Sequence, residues 1–150
     1  MKNFTYNITT KIFFGENTIE NLGPEISKYS KKILIVYGSE RIKKNGLFNA
    51  VVQQLTKHDI TFEEIGGIKP NPTLKSVHQG IAIMKEHNLD FVLAVGGGSV
   101  IDASKAIAAG AAMNIDPWLF CKREKGGDLV LQTQIVYRYY RCYRNDKILL

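Results

Sequence analysis

The chain has 150 residues, 45% hydrophobic and 23% charged, with a net charge of +6, the balance of an ordinary globular protein long enough to bury a core of its own. No stretch approaches the roughly 20 apolar residues of a transmembrane span, and the start Met1-Lys2-Asn3-Phe4-Thr5-Tyr6 lacks the apolar core of a secretory signal. With Cys121 and Cys142 forming neither a disulfide framework nor a CxxC zinc pattern, the expectation is a cytoplasmic protein with no membrane partner.

In chain order, Ile33-Leu34-Ile35-Val36-Tyr37 is a β-branched apolar run halted by Gly38, which predicts a buried strand. Past Gly46, the stripe Leu47, Val51, Val52 and Leu55 predicts an amphipathic helix. Ile60-Thr61-Phe62-Glu63-Glu64-Ile65 alternates apolar with polar, as a strand near a sheet edge does, and Gly66-Gly67 ends it. Pro70-Asn71-Pro72 fits neither helix nor central strand, because each proline lacks a donor and restricts its predecessor. Thr73 is then a plausible N-cap for a helix with Leu74, Val77, Ile81 and Met84 on one face, ending near His87-Asn88. Phe91-Val92-Leu93-Ala94-Val95 reads as a strand covered on both faces. Val100, Ala103 and Ile107 mark a further helix from Ser99. Strands alternating with helices predict an α/β fold, a Rossmann-like parallel sheet with flanking helices.

Between the last strand and its helix lies Gly96-Gly97-Gly98-Ser99. Glycine lets a ligand approach the main chain closely, and the first N–H groups of the helix lack internal partners and carry the positive end of its dipole. A pyrophosphate satisfies both. The spacing is neither the common Rossmann fingerprint nor a P-loop. The structural alternative is a tight turn with Ser99 as helix N-cap.

In an open parallel sheet, ligands bind beyond the carboxyl ends of the strands. Three loops fall there: Gly38-Ser39-Glu40-Arg41, Pro70-Asn71-Pro72 and Gly96-Gly97-Gly98-Ser99. Glu40 could accept from a ribose 2′-hydroxyl and favour NAD, whereas Arg41 and Ser39 could hold a 2′-phosphate and favour NADP. A solvated loop beside Lys43 and Lys44 is the plain alternative. Asp102 reads physically as an acid in the first turn of its helix, complementing the dipole and able to pair with Lys105. His58, His78 and His87 form no HxxxH or comparable pair, so no metal ligand is assigned, and no catalytic residue either.

Phe13-Phe14-Gly15, Tyr37-Gly38 with Ile42-Lys43-Lys44-Asn45-Gly46, Lys69-Pro70-Asn71-Pro72, Gly96-Gly97-Gly98-Ser99 with Asp102 and Lys105, and Asn114-Ile115-Asp116-Pro117-Trp118 occur in an order and spacing that carry a resemblance. Over about the first 120 residues the chain resembles the amino-terminal half of the iron-containing (group III) alcohol dehydrogenases, in the butanol dehydrogenase and aldehyde reductase branch. The resemblance implies a dehydroquinate synthase-like domain that binds NADP or NAD, followed by an all-helical domain holding Fe²⁺ or Zn²⁺. It implies a homodimer that interconverts small alcohols and aldehydes. By the same resemblance Gly97, Gly98 and Ser99 contact the pyrophosphate, with Gly96 in the same loop, and Asn71 reaches the cofactor. The loop Gly38-Ser39-Glu40-Arg41 handles the adenosine ribose, and Asp102 lies near the nicotinamide. Where the branch carries a string of glycines after Tyr37, this chain has Gly38-Ser39-Glu40-Arg41, which puts an NADP preference in doubt.

The likeness ends after Trp118. The family continues into a Thr-Gly-Ser-Glu stretch and the helical domain with its aspartate and histidine ligands, and residues 121–150 contain neither. From Lys122 onward seven Lys/Arg stand against three Asp/Glu, +4 of the chain's +6. Residues 126–144 hold four of the seven tyrosines. The expectation is a dinucleotide-binding domain over 1–120 and an aberrant basic, Tyr-rich tail over 121–150, produced by a frameshift near Lys125. On that reading the 150-residue chain is a nucleotide-binding fragment without the metal site. Tyrosines interleaved with arginines could also stack on single-stranded nucleic acid, but the segment is short and belongs to no recognised module, so no nucleic-acid partner is assigned. Its Leu129–Tyr140 stretch equally resembles an exposed β-prone segment.

Overall fold

The structure is a computed structural model that describes residues 11–113, 116–117, 136–142 and 147–149, the last two segments as backbone strands. A 3₁₀ turn (Thr18–Asn21) runs into a short helix, α1 (Leu22–Ile26). Then follow β1 (Lys32–Tyr37), α2 (Arg41–Lys44), α3 (Leu47–Lys57), β2 (Thr61–Ile65), α4 (Leu74–Glu86), β3 (Phe91–Val95) and α5 (Gly98–Met113). Backbone strands β4 (Val136–Cys142) and β5 (Lys147–Leu149) complete the order.

The sheet runs β2-β1-β3-β4-β5. Its first four strands are parallel, and β5 is antiparallel to β4. The predicted parallel sheet is therefore present, with the alternating 60–65 run at its edge. Strand β4 shows that part of the basic segment joins the sheet beside β3. Residues 118–135, which include Trp118, Cys121 and the start of the β-prone stretch, lie outside the described residues, as do Asn114 and Ile115.

Successive side chains on a strand point to opposite faces, so the continuous apolar runs of β1 and β3 need cover on both sides. Ile33, Ile35, Tyr37, Phe91, Leu93 and Val95 pack with Leu22 and Ile26 of α1 and Val51 and Leu55 of α3. Leu34, Val36, Val92 and Ala94 pack on the other face, with Val77, Ile81 and Met84 of α4 and Val100, Ile101, Ala103 and Ile107 of α5. Helices α3, α4 and α5 bury most of the stripe predicted for each, with Leu47, Val52 and Leu74 only half-buried. Thr73 caps α4 as predicted, its side chain accepting from the Ser76 N–H at 3.3 Å.

Helices α4 and α5 approach through two glycines. A Cβ on Gly80 would lie 2.4 Å from Ile107 Cδ1, and one on Gly110 would lie 2.4 Å from Ile81 Cδ1. Each isoleucine thus occupies the notch left by the other helix's glycine. This packing seats α5 on the sheet and aims its amino terminus at the end of β3.

Candidate functional site

The carboxyl ends of β1, β2 and β3 share one edge, and their loops are joined there. The Gly67 N–H donates to Gly38 O at 2.7 Å, and the Ile68 N–H donates to Tyr37 O at 3.3 Å. Gly38 lies beside α5, where a Cβ would make ordinary contacts with Val100 Cγ2 at 3.5 Å and Ile68 O at 3.6 Å. The loops after β1, β2 and β3 thus form one continuous rim.

On that rim the three glycines have different roles. Gly96 has φ +158°, and a Cβ there would lie 2.7 Å from Val100 Cγ2, so it must be small for the chain to turn from β3 into α5. A Cβ on Gly97 or Gly98 would meet nothing within 4 Å. These two present bare main chain to open space. Gly97 O accepts from the N–H groups of Val100 and Ile101, at 3.0 and 3.2 Å. Gly97 is therefore the N-cap, and the preceding N–H groups at the head of this 16-residue helix have no helical acceptor. Open backbone donors at the positive end of a long helix fit a pyrophosphate. This corrects the structural alternative, because Ser99 lies inside the first turn and caps nothing.

Asp102 is also placed differently from its physical reading. It is the fifth residue of α5, exposed, with no acid in the helix's first turn and no ion pair to Lys105 among the described residues. Asn71 is exposed in the loop after β2 and takes a left-handed φ of +56°. Asparagine tolerates that conformation better than most residues do.

The loop after β1 holds a cluster that sequence reasoning missed. Glu40 is the N-cap residue of α2, but its side chain turns to Tyr37, whose hydroxyl lies 3.2 Å from Glu40 Oε1 and 3.3 Å from Glu64 Oε1. Lys43 Nζ donates to Glu64 Oε1 at 2.6 Å and stands 3.7 Å from Glu40 Oε2. It also lies over the rings of Tyr37 and Phe48, at 5.2 and 4.9 Å from their centroids. Burial pushes the Tyr37 hydroxyl above its ordinary pKa, and the Glu64 carboxylate does the same to the Lys43 ammonium. Gly66 makes room for this cluster, since a Cβ there would lie 2.3 Å from the Tyr37 ring. The available signals were the Glu40/Lys43 spacing on a helical turn and the glycine straight after β2. Ser39 and Arg41 are exposed beside the cluster.

The model for "Iron-containing alcohol dehydrogenase" matches residues 9–135. The chain belongs to the iron-containing alcohol dehydrogenase family. It is 48% identical over 118 residues to the NADH-dependent butanol dehydrogenase A of Clostridium acetobutylicum, covering 79% of this chain and 30% of that protein. It is 40% identical over 120 residues to the NADPH-dependent aldehyde reductase YqhD of Escherichia coli, with the same coverage. The crystal structure of the NADH-dependent butanol dehydrogenase A of Thermotoga maritima superposes with a TM-score of 0.75 at 46% identity, over 79% of this chain and 30% of that one. The chain thus spans about 30% of the length of the relatives it matches.

The family's metal is a separate matter. Among the described residues no three His, Cys, Asp or Glu side chains converge, so these residues do not fit a divalent cation and no metal step is assigned to them. A cavity of about 360 Å³ opens at the opposite end of the sheet, lined by Met84, Leu89, Phe91, Val92 and Ala108 among others. It is remote from the rim. A dinucleotide in such a sheet lies along an open crevice beyond the carboxyl ends of the strands, whereas this cavity is lined by the amino-terminal residues of β3. Among the described residues no helix is long and apolar enough to cross a membrane.

Proposed function

We propose that residues 1–120 form the dinucleotide-binding domain of an NADH-dependent alcohol dehydrogenase that interconverts small alcohols and aldehydes. The observation that supports it is the open main chain of Gly97 and Gly98 at the head of α5, on the rim shared with the loops after β1 and β2. In this reading the N–H groups around Gly97, Gly98 and Ser99 hold the pyrophosphate. Gly38 keeps the first loop low against Val100, Glu40 accepts from the adenosine ribose, and Asn71 and Asp102 border the bound cofactor. The bound dinucleotide supplies the hydride exchanged with a carbonyl carbon. In this reading the Glu40 carboxylate faces the ribose 2′-hydroxyl and would repel a 2′-phosphate, which favours NAD over NADP. The cysteine pattern supports a cytoplasmic location.

A second reading concerns the polypeptide taken by itself: residues 1–150 bind dinucleotide without turning substrate over. The absence of a convergent ligand set among the described residues favours it. One measurement tests the dinucleotide site that both readings share, and a second separates them. Calorimetric titration is expected to show NAD binding to the purified chain, and no binding would refute the dinucleotide site. Oxidation of NADH with butyraldehyde, with and without Fe²⁺ or Zn²⁺, is expected to show no turnover; turnover would overthrow the second reading.

A further inference from the structure

We propose that Glu64 is a positioning residue for cofactor choice: by drawing Lys43 to itself, it leaves Glu40 the less closely paired of the two carboxylates and the ribose end of the site selective for NAD. The inference rests on the dinucleotide reading above. Three charged groups meet around the Tyr37 hydroxyl: two carboxylates, Glu40 and Glu64, and one ammonium, Lys43. Lys43 is within reach of both acids but sits 2.6 Å from Glu64 and 3.7 Å from Glu40. Its ammonium is also held over the rings of Tyr37 and Phe48. Glu40 is therefore the less closely paired of the two acids.

The Glu40 side chain is 62% exposed, and its contact to protein through Tyr37 leaves acceptor capacity on the solvent side for a ribose hydroxyl. A 2′-phosphate would bring about −1.5 to −2 further charges to the same place. With Lys43 held 2.6 Å from Glu64 and 3.7 Å from Glu40, that charge meets a carboxylate only loosely paired. Were Lys43 released, its ammonium could close on Glu40 or on the phosphate, and either would remove the barrier to NADP. Glu64 belongs to the edge strand and contributes no backbone to the rim loops. Its influence on the ribose runs through Lys43 and through the Tyr37 hydroxyl that it shares with Glu40.

The test measures dissociation constants of the 150-residue chain for NAD and NADP at fixed ionic strength, with melting temperatures to confirm folding. Wild type is expected to prefer NAD. Glu64→Gln is expected to lower the NAD-over-NADP preference by about tenfold, mainly by tightening NADP. Adding Lys43→Gln to that variant is expected to restore the preference, which a merely structural role for Glu64 would not do. Tyr37→Phe is expected to weaken NAD and leave NADP unchanged. Both cofactors binding to Glu64→Gln with the wild-type ratio would overturn the proposal, as would a wild-type preference for NADP. Tighter NADP binding abolished by Arg41→Ala rather than by Lys43→Gln would overturn it too, because Arg41 would then be the phosphate contact. If wild type binds neither dinucleotide, the dinucleotide reading falls and this inference with it.

Discussion

A methyl group on Gly96 has nowhere to go, whereas one on Gly97 projects into open space. Gly96→Ala forces Val100 Cγ2 from a 2.7 Å approach at a backbone angle that side chains rarely adopt, and overpacking of this kind costs about 1–3 kcal/mol. Thermal melts are expected to show that loss for Gly96→Ala and almost none for Gly97→Ala. The reverse order would mean that the turn has been misread. The three consecutive glycines were legible in the sequence as a strand-to-helix turn. Which one the fold needs and which ones a ligand would need was not legible, because that depends on where the Val100 side chain lands. Ser99 and Asp102 mislead for a related reason. Their chemistry suits a cap and a first-turn acid, but α5 begins at Gly98, with Gly97 as its N-cap, and both lie two positions further inward.

At the scale of elements, α3, α4, β1 and β3 were legible because a stripe or a run of five or more residues decides each. The 3₁₀ turn, α1 and α2 are four or five residues long, too short for a stripe to form. They are held by tertiary contacts that no local pattern encodes. Helix α1 docks by burying Leu22 and Ile26 and by the buried Glu25, which accepts from Lys11 and, at 2.7 Å, from Lys28. Those lysines hold the Glu25 carboxyl below its ordinary 4.5. A depressed carboxyl contributes stability that is present above its unfolded pKa and is lost as pH falls through the folded value. Glu25→Gln is therefore expected to lower the melting temperature at neutral pH, with the gap to wild type closing under acid. A gap that persists unchanged would assign the effect to packing instead.

The α4–α5 contact gives a sharper test at the same scale. Gly80→Ala is expected to destabilise by about 1–3 kcal/mol. Ile107→Ala is expected to cost about 2–5 kcal/mol by the cavity it leaves. The double variant should fall well short of the sum, since removing Ile107 vacates the space that the new methyl needs. Additive losses in denaturant melts would show that Gly80 and Ile107 do not share the notch. Neither glycine signalled this in the sequence, where each is simply a poor helix former inside an otherwise regular stripe.

For the whole molecule, apolar runs and breaker residues were enough to anticipate a parallel sheet with its loops gathered at one edge. Strand order and the junction of those loops were not, because they rest on long-range hydrogen bonds such as Gly67 to Gly38. The Tyr37, Lys43 and Glu64 cluster was equally hidden, since it assembles side chains from β1, α2 and β2. The proposed function turns on the head of α5 holding the pyrophosphate of a dinucleotide. Calorimetric titration of NAD into wild type and Gly97→Ala tests it most directly, because the added methyl fills the cradle without disturbing the fold. The expected result is saturable one-to-one binding by wild type, weakened at least tenfold, about 1.4 kcal/mol, in the variant at an unchanged melting temperature. Equal affinity in both proteins would contradict it.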